Sequence, residues 1–422
     1  MSDLFDEFLE EWKELKVFYF GTIVSTLGFS LTAFIEVIYL VAIGLSYTKI
    51  GFIFLLYGIL RAVVEIPTGI IADKYGRKTS STLGLLICAI SFILLPLSFN
   101  YLYILFFFNL FSFGSSLLSG AYMAWIVDTL KMRGLKDWIH RVTGRMGSIR
   151  GLMMTFGSLL GAYLLFQFLV LSGSVEVINP TAILVMRSLF VIHGLLFLID
   201  FIVLSYWGKE VPLMEKKKKE TFLEYIKNVI EESKDIIISR QIVLVLLTNS
   251  FIFFIAFAAL RDTWEPFLTT ILGYPIYWLG IVAAVTSFIS FLTNLKSEEF
   301  TEWVGDYPAT LFLLLLTLGC IVISLSFISF APLVIIVYIT IIAIWNFYGP
   351  IRGAYFQQNI PSNVRATMGS ISAFIIELSG GVGSVLIFGM IGEFFGLRTV
   401  LLLSGIVVII SSSLYLILIR KE

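Results

Sequence analysis

The chain has 422 residues, of which 58% are hydrophobic and only 14% are charged, and its mean hydropathy is +0.96. Soluble domains are about half apolar and about a quarter charged, so the composition argues against a soluble enzyme, a nucleic-acid-binding protein and a disordered scaffold. The formal net charge is +0, so no charge surplus indicates a polyanionic or polycationic partner. With two cysteines, Cys88 and Cys320, and two histidines, we expect no disulfide framework, no metal centre and no cofactor.

A bilayer-spanning helix needs about 20 mostly apolar residues, and the runs of that kind do not alternate with a period of two, as β-barrel strands would. The sequence therefore predicts an all-α polytopic membrane protein with twelve transmembrane helices. The acidic stretch Asp3 to Lys16 lacks the basic start of a signal peptide, so we expect it to stay as a cytoplasmic amphipathic segment. The twelve runs lie at roughly 17–43, 48–72, 80–98, 101–129, 143–171, 182–207, 241–272, 277–294, 308–329, 331–356, 366–392 and 397–419.

The positions of Lys and Arg predict the orientation of the chain. With both termini inside, 23 of the 29 basic residues lie in cytoplasmic segments or at the cytoplasmic ends of runs. Two (Lys49 and Arg398) lie at external ends, and four lie deeper within the runs. Because cytoplasmic loops carry the excess of Lys and Arg, we expect both termini in the cytoplasm. This bias does not identify the membrane, for which the plasma membrane of a prokaryote is the simplest assignment. The basic run Lys216 to Lys219 is expected to contact anionic membrane lipid.

The chain is expected to consist of two similar halves. A shift of 229 residues aligns Glu36 with Glu265 and Gly44 with Gly273. Both halves begin inside and hold six runs, so the repeat is parallel, a design used by secondary transporters with a site between the halves near the midplane. We predict an N-terminal segment, a six-helix half, a linker with an amphipathic helix, a second six-helix half and a tail, at 1–16, 17–208, 209–240, 241–419 and 420–422.

The loop between the second and third runs reads EIPTGIIADKYGRK. It resembles the signature loop of the major facilitator superfamily (MFS), G-x-x-x-D-[RK]-x-G-R-[RK], over the whole motif. The resemblance implies the MFS fold along the entire chain, two six-helix halves related by a pseudo-twofold axis, and transport by alternating access. The matching residues are Gly69, Asp73, Lys74, Gly76, Arg77 and Lys78.

The resemblance also implies a conformational latch on the cytoplasmic side. Gly69 is expected to allow close helix contact, and Gly76 to adopt a positive φ in a tight turn. The resemblance places Asp73 at the N-terminus of span 11, near Pro361, Ser362 and Asn363, where a carboxylate is favoured. Arg77 then needs an acid, and Asp128 is the candidate. Such a latch would hold the halves together inside and favour the outward-open state.

Two signatures of the drug–proton antiporter branch are missing. The middle of span 4, Phe108 to Gly114, has no Arg, and span 5 keeps Gly157 and Gly161 without the proline of that branch. These departures argue against drug antiport in particular.

Ionisable residues inside spans are costly and often mark a substrate or proton pathway. Glu36 and Glu265 occupy matching places on spans 1 and 7, so we expect them to face one another across the central cavity that the resemblance implies. Span 7 adds Arg261, Asp262 and Trp264, and Pro266 removes a helix hydrogen bond beside them. Glu265 is expected to pair with Arg261 at the i, i+4 spacing.

A second group of charges is expected between spans 2 and 11. Arg61 and Glu65 are also an i, i+4 pair, and Glu377 lies at similar depth. The resemblance implies that spans 2 and 11 adjoin, so it implies a triad of these residues. The alternative is that such pairs only lock helices together.

Arg187 is expected to reach towards the outer interface, and Asp200 and His193 to be structural. The aromatic candidates for the cavity are Tyr39, Tyr122, Trp125, Trp345 and Tyr348.

The sequence therefore predicts a monomeric secondary transporter of a small molecule, coupled to protons through Glu36, Glu265 or Asp262. No phosphate-binding G-x-x-x-x-G-K-[ST] loop occurs, so ATP is not expected as the energy source, and the protein is not expected to be an enzyme. Two substrate classes remain open: efflux of amphipathic, drug-like compounds, and uniport or symport of a small organic anion or polar metabolite. A transporter-like receptor and a lipid scramblase are less favoured alternatives.

Overall fold

The computed structural model describes residues 2–171, 179–211, 240–295, 304–361 and 364–419. Every regular element within these ranges is helical. In the first part of the chain the helices are α1 (Ser2–Thr32), α2 (Glu36–Ala42), α3 (Tyr47–Tyr75), α4 (Arg77–Leu94), α5 (Tyr101–Met132), α6 (Trp138–Leu171) and α7 (Pro180–Trp207). The others are α8 (Gln241–Pro266), α9 (Tyr277–Leu295), α10 (Tyr307–Leu325), α11 (Ala331–Gln358), α12 (Arg365–Gly383), α13 (Gly392–Phe395), α14 (Leu397–Ser413) and α15 (Leu416–Ile419).

The helices account for the apolar runs of the sequence. Eleven stretches within the described residues are long and apolar enough to cross a membrane, and the shorter apolar helix Tyr277–Thr293 coincides with the remaining predicted run. The expected all-α polytopic architecture is therefore confirmed. The predicted amphipathic helix of the linker, including Lys216 to Lys219, lies outside the described residues.

Capping residues lie at the N-termini of several of these helices. Asn100 accepts hydrogen bonds from the amides of Leu102 (2.9 Å) and Tyr103 at the start of α5. Asn179 and Asp306 cap α7 and α10 in the same way, and each is followed by a proline in the first turn. Side-chain oxygens satisfy amides that have no partner within the helix, and proline fits there because its missing N–H is not needed.

The start of the chain is helical on both sides of a kink. α1 combines two helices that meet at Leu15 (φ −122°, ψ 16°), close to the boundary predicted between the acidic segment and the first span. Glu11 is fully buried, with its two carboxylate oxygens 2.5 Å from Arg141 Nε and 2.7 Å from an Arg145 terminal nitrogen. Tyr19 donates a hydrogen bond to the same carboxylate at 2.6 Å. These contacts stabilise the acidic stretch on the start of α6.

Packing divides the chain into two compact units. One comprises Met1–Glu36 and Val63–Lys218, and the other comprises Val37–Ala62 and Lys219–Glu422. In the first unit α4 packs against α5 and α7, and α1 packs against α6 and α7. In the second, α8 packs against α12 and α14, α10 packs against α11 and α14, and α9 packs against α11. A stretch of the first half of the sequence, Val37–Ala62, therefore belongs to the second unit by its packing.

Two helices of the second unit continue as wider π-helical turns. Phe267–Ile271 extends α8 directly after Pro266, and Ser384–Ile391 extends α12. Proline cannot donate the regular helix hydrogen bond. π-helical turns are rare, occur mostly within α-helices and are frequently found at functional sites. The break expected at Pro266 thus takes the form of a change in helix type.

Candidate functional site

The site is built where Val37–Ala62 meets α8 and α12 inside the second unit. We call this set of contacts the seam. It joins α2 and the first half of α3 to the end of α8 and to α12 with its π-helical extension. Most of the charged residues singled out on spans 7, 2 and 11 lie along it.

Glu265 forms the first contact of the seam. Its side chain is 3% exposed, and one carboxylate oxygen accepts hydrogen bonds from the backbone amides of Val37 (2.9 Å) and Ile38 (3.0 Å). These amides belong to the first turn of α2, where backbone N–H groups have no partner within the helix. Glu36, half-buried, is the first residue of that helix. An acid on α8 therefore satisfies backbone donors of the chain immediately after Glu36.

Asp262 forms the second contact, one turn earlier on α8. It is 1% exposed, and one carboxylate oxygen accepts a hydrogen bond from the Ser384 hydroxyl at 2.5 Å. Its other oxygen lies 2.9 Å from Arg261 Nε. The Arg261 guanidinium is also 5.9 Å from the centre of the Phe54 ring on α3. Asp262 thus ties α8 to the first residue of the π-helical extension of α12.

Arg61 and Glu377 form the third contact. Arg61 Nε lies 3.3 Å from a Glu377 carboxylate oxygen, which places the predicted pair of spans 2 and 11 together. Both side chains are about one third exposed. Glu65, one turn further along α3, is exposed.

Glycines bring the backbones of α3 and α12 close together. A β-carbon at Gly58 would lie 2.8 Å from the Glu377 carbonyl oxygen, and one at Gly381 would lie 2.9 Å from the Leu55 α-carbon. At the far end of the seam the Thr48 amide donates to a Glu393 carboxylate oxygen at 3.0 Å. Small residues allow membrane helices to pack this closely, so the two backbones form a tight line of contact between the charged ends.

The signature loop lies in the first unit. Arg77 Nε is 2.5 Å from an Asp128 carboxylate oxygen, so the predicted ion pair is present. Gly76 has the expected positive φ, 101°. Asp73 and Lys74 are exposed. The close helix contact expected at Gly69 is wrong, because a β-carbon there would meet no described atom within 4 Å.

Two further contacts hold the same loop. The Lys78 ammonium donates to the Ser205 carbonyl at 2.8 Å, and the backbone amides of Lys78 and Thr79 donate to Glu210 at 3.1 and 3.3 Å. Glu210 therefore caps the start of α4, a role that sequence reasoning missed. Ser362 and Asn363, part of the expected partner of Asp73, lie outside the described residues.

The predicted aromatic residues occupy different environments. In the first unit the Tyr122 hydroxyl donates to the Phe18 carbonyl (2.8 Å), and Trp125 Nε1 donates to the Lys209 carbonyl (2.9 Å). Tyr39 is fully buried in α2. In the second unit Trp264 stacks on Tyr338, with ring centres 4.9 Å apart. Trp345 stacks on Phe257, with ring centres 4.3 Å apart.

Several polar residues that were assigned no function or a structural role lie in buried networks. In the first unit Ser25 donates to Asp200, and His193 Nδ1 lies 2.9 Å from the Thr32 hydroxyl, as expected for structural side chains. In the second unit Asn249 accepts from Tyr348 at 2.8 Å. Arg352, counted from the sequence as a topology charge, is buried on α11. Only its place inside an apolar run could have marked it.

A metal site is not indicated in the part of the chain that the structure describes, where no group of three or more His, Cys, Asp or Glu side chains could hold an ion. The seam contains buried carboxylates, two salt bridges (Arg61 with Glu377 and Arg261 with Asp262) and backbone donors. This chemistry suits proton binding and the making and breaking of helix contacts.

Comparison with known proteins gives a consistent result. The family model described as Major Facilitator Superfamily matches residues 18–384. An uncharacterized MFS-type transporter, YxaM of Bacillus subtilis (strain 168), is 23% identical over 413 residues, which cover 95% of each chain.

Solved structures share the fold over nearly the whole chain. A mutant of the nucleoside transporter NupG matches with a TM-score of 0.76 and 14% identity, covering 95% of this chain and 99% of that one. An inward-facing bacterial homolog of the human lysosomal transporter Spinster matches at 0.72 and 19%, covering 96% and 97%. The human organic anion transporter MFSD10 (TETRAN) matches at 0.62 and 15%, covering 96% and 99%. The chain belongs to the Major Facilitator Superfamily and is a membrane transporter.

Proposed function

We propose that this transporter is a proton-coupled secondary carrier of a small molecule, and that Glu265 is the proton-binding group that controls the seam. The proposal rests on one observation: the buried Glu265 carboxylate accepts two backbone amide hydrogen bonds from Val37 and Ile38. We place the protein, as a monomer, in the plasma membrane; its termini lie in the cytoplasm, the orientation that the distribution of Lys and Arg predicts.

Protonation of Glu265 would weaken the seam for a simple reason. An ionised carboxylate accepts short, charge-assisted hydrogen bonds that are about twice as strong as neutral ones. The protonated acid loses the charge and also gains an O–H donor that needs an acceptor. The ionised form therefore favours the closed seam, and uptake of a proton favours its opening.

Opening of the seam fits alternating access if the two six-helix halves, 17–208 and 241–419, are the moving bodies. Val37–Ala62 belongs to the first half in sequence, so its contacts with α8 and α12 are those that a rocking motion must break. Lys49 and Arg398 lie near this end and are the two basic residues predicted to be external. The seam would then be the external gate.

The signature loop would act at the other end of the cycle. Arg77 and Asp128 are paired, and Glu210 caps the start of α4, so the loop is stabilised within its own unit. We propose that Asp73, exposed on the same loop, completes the cytoplasmic latch when the external gate opens.

The contacts of Arg61 and Arg261 bear on the two substrate classes. Arg61 and Arg261, the residues that favoured an anionic substrate, each lie beside a carboxylate, Glu377 and Asp262 respectively. Their charges are balanced within the seam, so we propose that they serve the gate. Efflux of amphipathic compounds and movement of a small organic anion both remain compatible with proton coupling through Glu265.

The test uses purified protein in liposomes that contain a pH-sensitive dye. Nucleosides, dipeptides and small organic anions, the cargo classes named for structurally similar transporters, are added outside, together with amphipathic cations. Wild type is compared with Glu265→Gln and with Asp137→Asn, which removes an exposed carboxylate from the loop before α6.

We expect one class to change the internal pH in wild type and in Asp137→Asn. Glu265→Gln should still exchange labelled substrate across the membrane but should produce no pH change. An equal pH change in Glu265→Gln, or saturable uptake by wild type with no pH change, would contradict the proposal.

A further inference from the structure

Arg352 lies on α11, away from the charged residues of the seam. Its side chain is 9% exposed, and among the described residues it is the one basic side chain that is buried. The other ionisable residues among the buried side chains are acids, apart from His193. Because an arginine stays protonated in proteins, a full positive charge is held inside the second unit.

The partners of Arg352 do not balance this charge. One terminal nitrogen donates to the Ser250 hydroxyl on α8 and lies 3.4 Å from the Ser372 hydroxyl on α12. The guanidinium carbon is 5.7 Å from the Phe356 ring centre. The Nε atom is buried without a hydrogen-bond partner, and no described carboxylate forms an ion pair with Arg352. A buried charge is usually paired, so the Arg352 guanidinium can still bind an anionic partner.

Among the described residues, the half-buried Arg187 and Arg398 donate to backbone carbonyl oxygens, and several other arginines have a carboxylate partner. Arg61 and Arg261 have carboxylates at 3.3 and 2.9 Å. In the first unit Arg77 and Arg145 have them at 2.5 and 2.7 Å. Arg352 instead presents a planar fork of donors held by two neutral hydroxyls. That fork matches the two oxygens of a carboxylate.

Open space lies one helical turn from Arg352 and from its partner Ser372. Gly349 lies one turn before Arg352 on α11, and Gly369 lies one turn before Ser372 on α12. A β-carbon at either glycine would meet no described atom within 4 Å. The described residues therefore leave open volume beside these two glycines.

Aromatic rings continue from Arg352 along the same face of α11. Tyr348 and Trp345 precede it by four and seven residues, which places them on one side of the helix. Phe253 of α8 packs against both, with ring centres 5.1 and 5.6 Å away. Trp345 is only half-buried. The arginine is thus followed by an apolar, aromatic surface.

We propose that Arg352 binds the carboxylate of a small aromatic acid, whose ring lies against the aromatic residues of α8 and α11. The proposal rests on the proposed transport function, since it makes such anions the substrate class. The three features that carry it are the unbalanced buried charge, the free Nε donor and the open space beside Gly349 and Gly369.

The test is equilibrium dialysis of radiolabelled benzoate against the purified full-length protein in detergent, with protein-free micelles subtracted. Benzamide, which has the same shape without the charge, and phenyl phosphate serve as competitors. The variants are Arg352→Lys, Arg352→Met and the control Arg240→Gln, which removes an exposed arginine that donates to the Asn359 carbonyl at 2.9 Å. Thermal unfolding identifies any variant that fails to fold.

We expect wild type and Arg240→Gln to bind one benzoate per chain, displaced by unlabelled benzoate and not by benzamide. Arg352→Lys keeps the charge but loses the fork, so its affinity should fall about 10- to 100-fold; folded Arg352→Met should lose saturable binding. The proposal is overturned if wild type binds no benzoate up to about 10 mM, if Arg352→Lys binds as tightly as wild type, if folded Arg352→Met retains saturable binding, or if phenyl phosphate is strongly preferred. This assay uses no pH gradient, so failure of proton coupling at Glu265 would leave its result unchanged.

Discussion

A single methyl group at Gly58 should weaken the closed seam. The β-carbon of Gly58→Ala would lie 2.8 Å from the Glu377 carbonyl oxygen, 0.6 Å nearer than the 3.4 Å at which ordinary contact begins. That oxygen belongs to backbone, so a side-chain rotation cannot remove the clash. Overpacking of this kind costs about 1–3 kcal/mol. Opening the seam removes the cost, so the closed state alone is destabilised.

The helix propensity of alanine does not alter this result. Alanine is favoured over glycine in a helix by about 1 kcal/mol, but α3 is helical whether the seam is closed or open, so the gain cancels. The ratio of closed to open seam should therefore fall about 5- to 150-fold. Gly120→Ala on α5 is the matched control, because its β-carbon would meet no described atom within 4 Å.

Spin labels across the seam report the change. Lys49 and Phe394 are exposed, the latter by 77%, and they adjoin the hydrogen bond between Thr48 and Glu393. Labels are attached to Lys49→Cys and Phe394→Cys after both native cysteines are replaced by serine, and distances are measured by double electron–electron resonance in liposomes. We expect a short distance in wild type and Gly120→Ala, and an added longer distance in Gly58→Ala. Identical distributions in all three proteins would refute the reasoning.

Three further experiments test the packing of the two units, each taken separately. Glu11→Gln removes the buried carboxylate that pairs with two arginines of α6, so it should lower the free energy of unfolding by about 3 kcal/mol. The exposed neighbour Glu10→Gln should change the free energy of unfolding little. Equal melting temperatures of the two variants would contradict this. Tyr348→Phe leaves a buried amide oxygen with one donor fewer and should cost about 1 kcal/mol in thermal unfolding; a gain in stability would count against the network. A double-mutant cycle of Arg77→Gln and Asp128→Asn should give a coupling of about 0.5–1 kcal/mol, because the pair is partly exposed; a coupling of zero would show that the pair contributes nothing.

The helices, the pairing of Arg77 with Asp128 and the positive φ of Gly76 could be predicted from the sequence. Twenty-residue apolar runs have few alternatives in a membrane, where every backbone group needs an internal partner. The internal repeat also aligns glycines of the same conformation. Gly44 and Gly273, matched by the shift of 229 residues, both have positive φ (87° and 71°).

The partners of buried polar groups could not be predicted in the same way. The sequence predicted side-chain partners for Glu265, Arg261 and Glu36, and did not predict its backbone partners. The amides of Val37 and Ile38 are available because the helix breaks between α1 and α2. Arg352 was assigned to topology because it lies near the cytoplasmic end of a run. Its burial depends on Ser250, 102 residues away in sequence, a relation that no local pattern contains.

The central claim, that protonation of Glu265 opens the seam, is tested most directly by a pH titration of the distance between the labels at Lys49→Cys and Phe394→Cys. In wild type the longer distance should gain population as the pH falls, because the ionised carboxylate that holds the amides of Val37 and Ile38 is lost. In Glu265→Gln, which mimics the protonated acid, the longer distance should be populated at every pH and should not titrate. A Glu265→Gln protein that titrates as wild type does would contradict the account.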